Sequence, residues 1–238
     1  YGCGKMAEVI IKNLYDKGAE LVGAIDNNES LQGMDVGDFA KLGFKTGVVI
    51  NNDADQVFNS CDADIAIVTI SSYMKDNLKL FEPCAKHGDN VVTTEEEGIY
   101  PWNTSPETTN YLDRLAKDHN ITITGSGMQD IYWIHMPCLV AGGVHQLKTI
   151  KGAVSYNVDT YGIALAKAHG TGFTLDMFEK EIGSAESFPS YMWNAGEAIC
   201  ARMNWSVKSI SQKSVPIVLE DDIYSETLGA IIPKGNAI

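Results

Sequence analysis

The first half of the chain alternates between two patterns of apolar positions. In one, apolar residues recur at helical spacing, and in the other they form short continuous runs typical of strands. Residues Ala7 to Leu14 have apolar positions at helical spacing, and the short apolar run AELVGAID follows and ends at Asp26. Further short apolar runs recur down to residue 124, separated by amphipathic stretches that predict helices. The alternation predicts an α/β fold with an open, mostly parallel sheet and helices on both sides. The predicted strands lie within KTGVVI, ADIAIVTI (buried on both faces), NVVTT and ITITG.

The second half of the chain has a different pattern. An apolar helix is predicted over Ile131–Ala141, and a long strand-like stretch over residues 146–162. A short helix over 174–183 and a Met- and Trp-rich helix over 188–205 precede strands in the last segment. We therefore predict two domains, residues 1–124 and residues 125–238, the second being a mixed α+β domain.

Composition and charge narrow the class of protein. The 238 residues carry a formal net charge of −13, which disfavours binding to nucleic acid or to an anionic membrane surface. No apolar run has transmembrane length and no signal segment is present, so we expect a cytoplasmic protein. The five cysteines are widely spaced without a C-x-x-C pair, which favours reduced thiols. The single H-x-x-C, His135–Cys138, offers too few ligands for zinc, and we expect no metal.

The first residues of the chain contain a phosphate-binding motif. GCGKMA fits G-x-G-x-x-A and runs directly into the first predicted helix. Such glycines permit a tight turn and close approach to a pyrophosphate, and the helix N-terminus supplies N–H groups for the phosphates. We therefore expect a Rossmann-type, doubly wound domain that binds a dinucleotide over residues 1–124. The predicted contacts from this turn are Gly2, Cys3, Gly4, Lys5 and Met6.

The motif has no strand before it. A G-x-G-x-x-A turn ordinarily follows a buried strand, whereas here the chain begins inside the turn. The strands of the last segment also stop without a closing element. We therefore expect that the chain is truncated at both ends.

Asp26 ends the predicted second strand and bears on the choice between NAD and NADP. A carboxylate at that point accepts hydrogen bonds from the adenosine ribose hydroxyls, and it repels a 2′-phosphate. No Arg or Lys follows it directly, so the sequence favours NAD. NADP would be tolerated if Asp26 turned away and Asn27, Asn28 or Ser30 bound the phosphate. The alternative role of Asp26 is to cap the following turn.

The carboxyl ends of the other parallel strands place polar residues at the same edge of the sheet. Thr69, Ser71 and Ser72 follow one strand and are predicted to contact the cofactor. The run Glu95–Glu97 follows the next strand, where one glutamate would lie beside the nicotinamide and hold a proton of a substrate nitrogen. The alternative is a solvated acidic helix start. A small apolar substrate pocket is predicted from Tyr132, Trp133, Phe173 and Met177.

The motifs YGCGKMAE, ADIAIVTISS, NVVTTEEEGIYPW and ITITGSGMQD together resemble the 2,4-diaminopentanoate dehydrogenase family and its relatives, the native amine dehydrogenases. These are similar in turn to dihydrodipicolinate reductase. The resemblance implies NAD(P)H-dependent reductive amination of small aldehydes or ketones with ammonia, and the reverse deamination. It also implies that Glu96 or Glu97 is the catalytic residue that binds ammonia or amine. Adjacent side chains cannot both face the pocket, and we favour Glu96.

Two other functions stay open from the sequence. One is a carbonyl or cyclic-imine reductase of the dihydrodipicolinate reductase type, although its dicarboxylate substrate calls for a basic cluster and the second half has only scattered Lys and Arg. The other is a non-catalytic dinucleotide sensor. We expect a homodimer, formed through the second domain, from the Met- and Trp-rich helix, which would otherwise be simple core.

Overall fold

The computed structural model describes residues 1–153, 163–183 and 191–238. These residues belong to two compact units. The first comprises Tyr1–Gly143 and Asn194–Ser206, and the second comprises Val144–Trp193 and Val207–Ile238. The predicted division into residues 1–124 and 125–238 stays a prediction.

The first unit alternates helices and strands along the chain. Its helices are α1 (Lys5–Asp16), α2 (Val36–Phe39), α3 (Ala54–Ser60), α4 (Met74–His87), α5 (Pro106–His119) and α6 (Met136–Ala141). Its strands are β1 (Ala24–Ile25), β2 (Ile50–Asn51), β3 (Ile65–Val68), β4 (Asn90–Thr93) and β5 (Ile123–Gly125). Short 3-10 turns span Glu29–Leu31 and Glu97–Ile99, and a π-helical segment, Asp130–His135, leads into α6. The helix α7 (Ile163–Ala168) lies in the second unit.

The strands of the first unit pair in parallel. β1 pairs with β2, and β3, β4 and β5 pair in that order. The backbone of Tyr1 and Gly2 connects the two groups, because Gly2 N donates to Ile25 O at 2.8 Å and Tyr1 N donates to Ile67 O at 2.7 Å. The order across this half of the molecule is therefore β2, β1, residues 1–2, β3, β4, β5. This arrangement confirms the predicted α/β class with a Rossmann-like parallel sheet.

Apolar residues from the strands and helices form two core clusters in this unit. In one cluster Ala7 and Ile11 of α1 pack with Ala24 and Ile50 of β1 and β2. In the other, Val68 and Val91 pack against α4 and α5. The prediction that the ADIAIVTI strand is buried on both faces is wrong at its start, since Ile65 is 53% exposed. The first two predicted strands are also shorter than their apolar runs, with two residues each.

Helix α4 ends at Gly88, whose left-handed φ of 86° lets the chain turn without strain. Helix α5 begins with Ser105 at the N-cap position and Pro106 as its first residue, as the sequence predicts. Helix α9 (Tyr191–Arg202) confirms the predicted Met- and Trp-rich helix, and from Asn194 onward it belongs to the first unit. Ala195 and Ala198 of α9 pack in that unit around Ile134.

The second unit contains α7, α8 (Leu175–Phe178), a π-helical turn over Glu179–Gly183 and two antiparallel strands. These strands are β6 (Ile223–Ser225) and β7 (Ala230–Ile232), with Ile223 paired to Ile232. The long strand predicted over residues 146–162 is wrong for residues 146–153, which form none, and its remainder lies outside the described residues. In the described part of the chain, no helix has the length and apolarity that crossing a bilayer requires.

Candidate active site

The glycine turn has the shape that a bound pyrophosphate requires. Gly2 has a φ of 94°, and a Cβ there would lie 2.6 Å from Ile70 Cγ1 and 2.9 Å from the carbonyl oxygen of Thr69. Gly4 is the N-cap residue of α1 and no side chain caps this helix end. A Cβ on Gly4 would meet nothing within 4 Å, so the turn leaves open space in front of the helix N-terminus. These features fit a dinucleotide phosphate group.

Asp26 is tied to the glycine turn. Its Oδ2 accepts a hydrogen bond from the backbone N–H of Cys3 at 2.6 Å, and its Oδ1 accepts one from Asn28 N at 2.8 Å. The bond from Asn28 caps the following turn, which was the alternative role for Asp26. Each carboxylate oxygen retains acceptor capacity for a ribose hydroxyl. Asn27 is exposed beside it, and the contact of Asp26 with a ribose stays a prediction.

The hydroxyl residues after β3 bond within the protein. Thr69 Oγ1 donates to the carbonyl of Gly2 at 2.5 Å and so supports the glycine turn. Ser71 Oγ donates to Asp76 at the start of α4 at 2.9 Å. Ser72 accepts at its carbonyl from Glu97 N at 3.3 Å. The three residues therefore link the glycine turn, α4 and the glutamate run, while their contacts with a cofactor stay predictions, as do those of Lys5 and Met6.

The three consecutive glutamates have three different environments. Glu97 is 2% exposed, and its Oε2 accepts a hydrogen bond from Met74 N at 2.9 Å. Its Oε1 accepts from the hydroxyls of Thr104, at 2.8 Å, and Ser105. Since α4 has no cap from its own N-cap residue, Glu97 caps this helix from another segment. Every acceptor atom of Glu97 is used within the protein.

Glu95 is enclosed by the protein and only 1% exposed. Its Oε2 accepts a hydrogen bond from Asn77 Nδ2 at 2.8 Å. Burial raises the pKa of Glu95 to about 7, against the lowering effect of the Asn77 hydrogen bond and with smaller raising effects from the charges of Glu97 and Asp76. A carboxyl group in this setting gains a proton far more readily than one in water.

Glu96 lies at the meeting point of the ends of β4 and β5. It is partly buried, and its Oε1 accepts a hydrogen bond from Gln129 Nε2 at 3.3 Å. The two ends meet because Gly125 has no side chain: a Cβ there would lie 2.4 Å from the carbonyl carbon of Gly98. Ser126 N also donates to Thr93 O at 3.0 Å across the same junction.

The glutamates follow the end of β4 at Thr93 and lead into the 3-10 turn Glu97–Ile99. Burial nevertheless alternates from Val91 through Thr93 to Glu95 and Glu97, which are buried, while Glu96 is only partly buried. The sequence predictions named Glu96 and Glu97 and missed Glu95 and Asn77. The same alternation was available as a signal for Glu95. Asn77 was also detectable, because it falls in helical register with the apolar face of α4 that includes Phe81 and Cys84.

The predicted pocket residues are distributed over both units. Tyr132 is 60% exposed, and Trp133 packs against the core cluster around Ile134 in the first unit. Phe173 and Met177 lie in the second unit, so the pocket stays a prediction. Over the residues that the structure describes, no group of three or more His, Cys, Asp and Glu side chains could hold a metal ion.

Comparisons with known proteins agree with this geometry. The family model for the dihydrodipicolinate reductase N-terminus matches residues 1–97. The curated 2,4-diaminopentanoate dehydrogenase of Acetoanaerobium sticklandii is 23% identical over 225 residues, and the chain spans 62% of the length of that relative. The solved amine dehydrogenase of Mycobacterium smegmatis is 38% identical, with a TM-score of 0.92. That alignment covers 100% of this chain and 70% of the solved chain.

These findings support a nicotinamide dinucleotide as the cofactor class, because the relatives are dehydrogenases and the glycine turn fits a dinucleotide. The identity to the mycobacterial enzyme extends over the whole chain, beyond the nucleotide-binding half that the family model covers. With the whole fold shared at this level of identity, the chain belongs to the amine dehydrogenase family.

Proposed function

We propose that this protein is an NAD(P)-dependent amine dehydrogenase. In the direction of reductive amination it joins a small aldehyde or ketone with ammonia, releases water, and reduces the resulting iminium carbon to an amine. In reverse the amine loses a hydride and a proton, and water replaces the nitrogen, which leaves as ammonia. The support comes from family membership and from the environment of Glu96.

The division of the glutamate run is the observation that carries the proposal. Glu97 uses both carboxylate oxygens within the protein, and Glu95 is enclosed. Glu96 is partly buried and contacts Gln129, at the carboxyl end of the sheet where open α/β folds bind their ligands. We therefore assign to Glu96 the role of binding the substrate nitrogen.

The residues of this chain would act as follows. The N–H groups at the start of α1 and the turn at Gly4 would hold the pyrophosphate, and Asp26 the adenosine ribose. The bound nicotinamide supplies or accepts the hydride. The carboxylate of Glu96 would favour the cationic ammonium and iminium forms of the substrate nitrogen, and would accept its proton. A largely apolar pocket would keep water from the imine.

Three finer statements belong to the same proposal. NAD is favoured over NADP, because the carboxylate of Asp26 is held beside the glycine turn and no cation follows it directly. Small apolar aldehydes and ketones are favoured over keto acids, because Tyr132 and Trp133 are not accompanied by a basic cluster in the sequence. A homodimer in the cytoplasm is the state that we expect for the protein.

Oxidation of NADH and NADPH with simple ketones and aldehydes, with and without ammonium chloride, tests the proposal. We expect turnover that requires ammonium and yields the amine. Turnover that proceeds equally without ammonium would instead show a carbonyl reductase. Cofactor binding without turnover on any carbonyl compound would favour a sensor. The variant Glu107→Gln, an exposed acid in the first turn of α5, serves as the matched control for variants of Glu96.

A further inference from the structure

Two buried oxygen atoms beside the candidate site have no hydrogen-bond partner among the residues that the structure describes. They are Oε1 of Glu95 and Oδ1 of Asn77. Both side chains are essentially inaccessible to solvent, with 1% and 0% exposure. An unpaired buried acceptor costs about 1–3 kcal/mol, so two of them in adjacent side chains require an explanation.

The two atoms belong to planar groups that already share one hydrogen bond. Asn77 Nδ2 donates to the other carboxyl oxygen of Glu95 at 2.8 Å, and also to the carbonyl of Ser71 at 3.0 Å. Both hydrogens of the amide are therefore used, and only its oxygen remains. A carboxylic acid and a primary amide can form a cyclic pair, in which the amide N–H donates to the acid carbonyl and the acid O–H donates to the amide oxygen.

We propose that Glu95 is a neutral carboxylic acid in a cyclic pair with the Asn77 amide, and that this pair is a positioning device for Glu96. One proton on Oε1 of Glu95 gives partners to both orphaned oxygens at once. A proton on Glu97 would not do so, because both of its carboxylate oxygens already accept hydrogen bonds, from Met74 N, Thr104 and Ser105.

The charges around the pair favour the same state. Glu97 and Asp76 are the charged groups whose fields reach Glu95, and both are acidic. An ionised Glu95 would add a negative charge to theirs in a site without solvent. Burial also raises the pKa of Glu95 to about 7. A neutral Glu95 leaves to Glu96 the proposed role of holding a cationic substrate nitrogen.

The Glu95–Asn77 pair holds the backbone of the glutamate run in place, and this backbone positions Glu96. Asn77 holds the segment before α4 through Ser71 and holds the glutamate run through Glu95, directly next to Glu96. Gln129 completes the placement from the end of β5. Glu95 is thus a positioning residue, and its part in turnover rests on the proposed function, whereas its neutral state does not.

Infrared spectroscopy of the native protein and of Glu95→Gln tests the neutral state without reference to activity. We expect a protonated carboxyl band in the native protein that disappears as the pH rises through about 7 and that is missing in the variant. Glutamine keeps the cyclic geometry, because its amide donates to Asn77 Oδ1 in place of the acid proton. Identical carboxyl bands in the two proteins would overturn the proposal.

Turnover of the amine tests the positioning role. Glu95→Gln should keep kcat within about threefold of the native protein, whereas Asn77→Leu and Glu95→Leu should lower it by about tenfold or more, because a small displacement of a catalytic group is costly. Cofactor affinity should stay unchanged in all three variants. A folded, cofactor-binding Glu95→Gln that is as inactive as Glu96→Gln would show that Glu95 acts as an ionised group and would overturn the proposal. If the leucine variants fail to fold, Glu95→Gln and the infrared band still decide it.

Discussion

The carboxylate of Glu97 accepts a hydrogen bond from the backbone N–H of Met74, 2.9 Å away, and so caps a helix to which it does not belong. The same carboxylate receives the hydroxyls of Thr104 and Ser105. A single side chain therefore joins the start of α4, the glutamate run and the start of α5. This architecture favours Glu96 over Glu97 for substrate binding, and the choice between the two stays a prediction.

Replacement of Glu97 should affect folding before it affects chemistry. Glu97→Ala removes a helix cap and leaves one buried N–H and two partly buried hydroxyls without their acceptor, so we expect a loss of about 2 kcal/mol or more in the free energy of unfolding. Urea denaturation measures this free energy of unfolding. The control Glu107→Gln alters an exposed acid and should stay within about 0.5 kcal/mol of the native protein. An equally small change in Glu97→Ala would contradict the assigned role.

Two glycines in the phosphate-binding turn should respond in opposite ways to the same substitution. Gly2→Ala places a Cβ 2.6 Å from Ile70 Cγ1 at a positive φ, and should destabilise the fold by about 2 kcal/mol or more. At Gly4 a Cβ would meet no atom within 4 Å and the φ is negative, so Gly4→Ala should leave the melting temperature unchanged. Its methyl group instead enters the space for the pyrophosphate.

Calorimetric titration with the dinucleotide measures that second effect, and we expect Gly4→Ala to weaken binding by about tenfold or more. If Gly4→Ala binds as tightly as the native chain, the phosphate site is elsewhere. If Gly2→Ala melts at the native temperature, the turn does not have the tight geometry described.

The stability of the protein should decline with pH because of Glu95. Its pKa is raised from 4.5 to about 7 in the folded state, so the folded protein holds a proton that the unfolded chain has lost. The contribution is fully present below about pH 4.5, and is lost as the pH rises to about 7. The loss amounts to about 3 kcal/mol, and Glu95→Gln should abolish it. Unfolding free energies of both proteins that change in parallel with pH would contradict this.

Asp26 should govern the choice between the two cofactors. We expect the native protein to favour NAD, and Asp26→Ala to shift the ratio of KM values toward NADP by about tenfold, because a like charge beside the 2′-phosphate is removed. The variant should also lose about 1 kcal/mol of stability, since Cys3 N and Asn28 N lose their acceptor.

Asp53→Ala is the matched control for Asp26. Asp53 caps α3 by accepting a hydrogen bond from Gln56 N. Asp53→Ala should therefore lose a similar amount of stability, without changing the ratio of the KM values for NAD and NADP. A native preference for NADP, or an unchanged ratio in Asp26→Ala, would show that Asp26 does not contact the ribose.

Local patterns predicted much of the fold and part of the site. The glycine turn, the start of α5 at Ser105 and Pro106, and the end of α4 at Gly88 depend on neighbouring residues, which a sequence displays directly. The parallel strands were predicted in position, though not in length. Strand length depends on pairing with distant residues, and the exposed Ile65 pairs with Asn90, which is also exposed.

The parts that were missed depend on contacts between distant segments. Ser105 lies at its predicted N-cap position, yet its hydroxyl donates to Glu97 and accepts no capping hydrogen bond from its own helix. Asn77 and Glu95 meet only after α4 packs on β4, across 18 positions of the chain. Local patterns indicate that each of the two side chains is buried, but none indicates that they meet.

Turnover of amine by Glu96→Gln, measured together with the dissociation constant for the cofactor, tests the central claim most directly. The substitution keeps the size of the side chain and removes the charge that would hold the substrate nitrogen. We expect kcat to fall by about 100-fold or more, with the cofactor dissociation constant unchanged within about threefold. Turnover near that of the native protein in a folded Glu96→Gln variant would contradict the account.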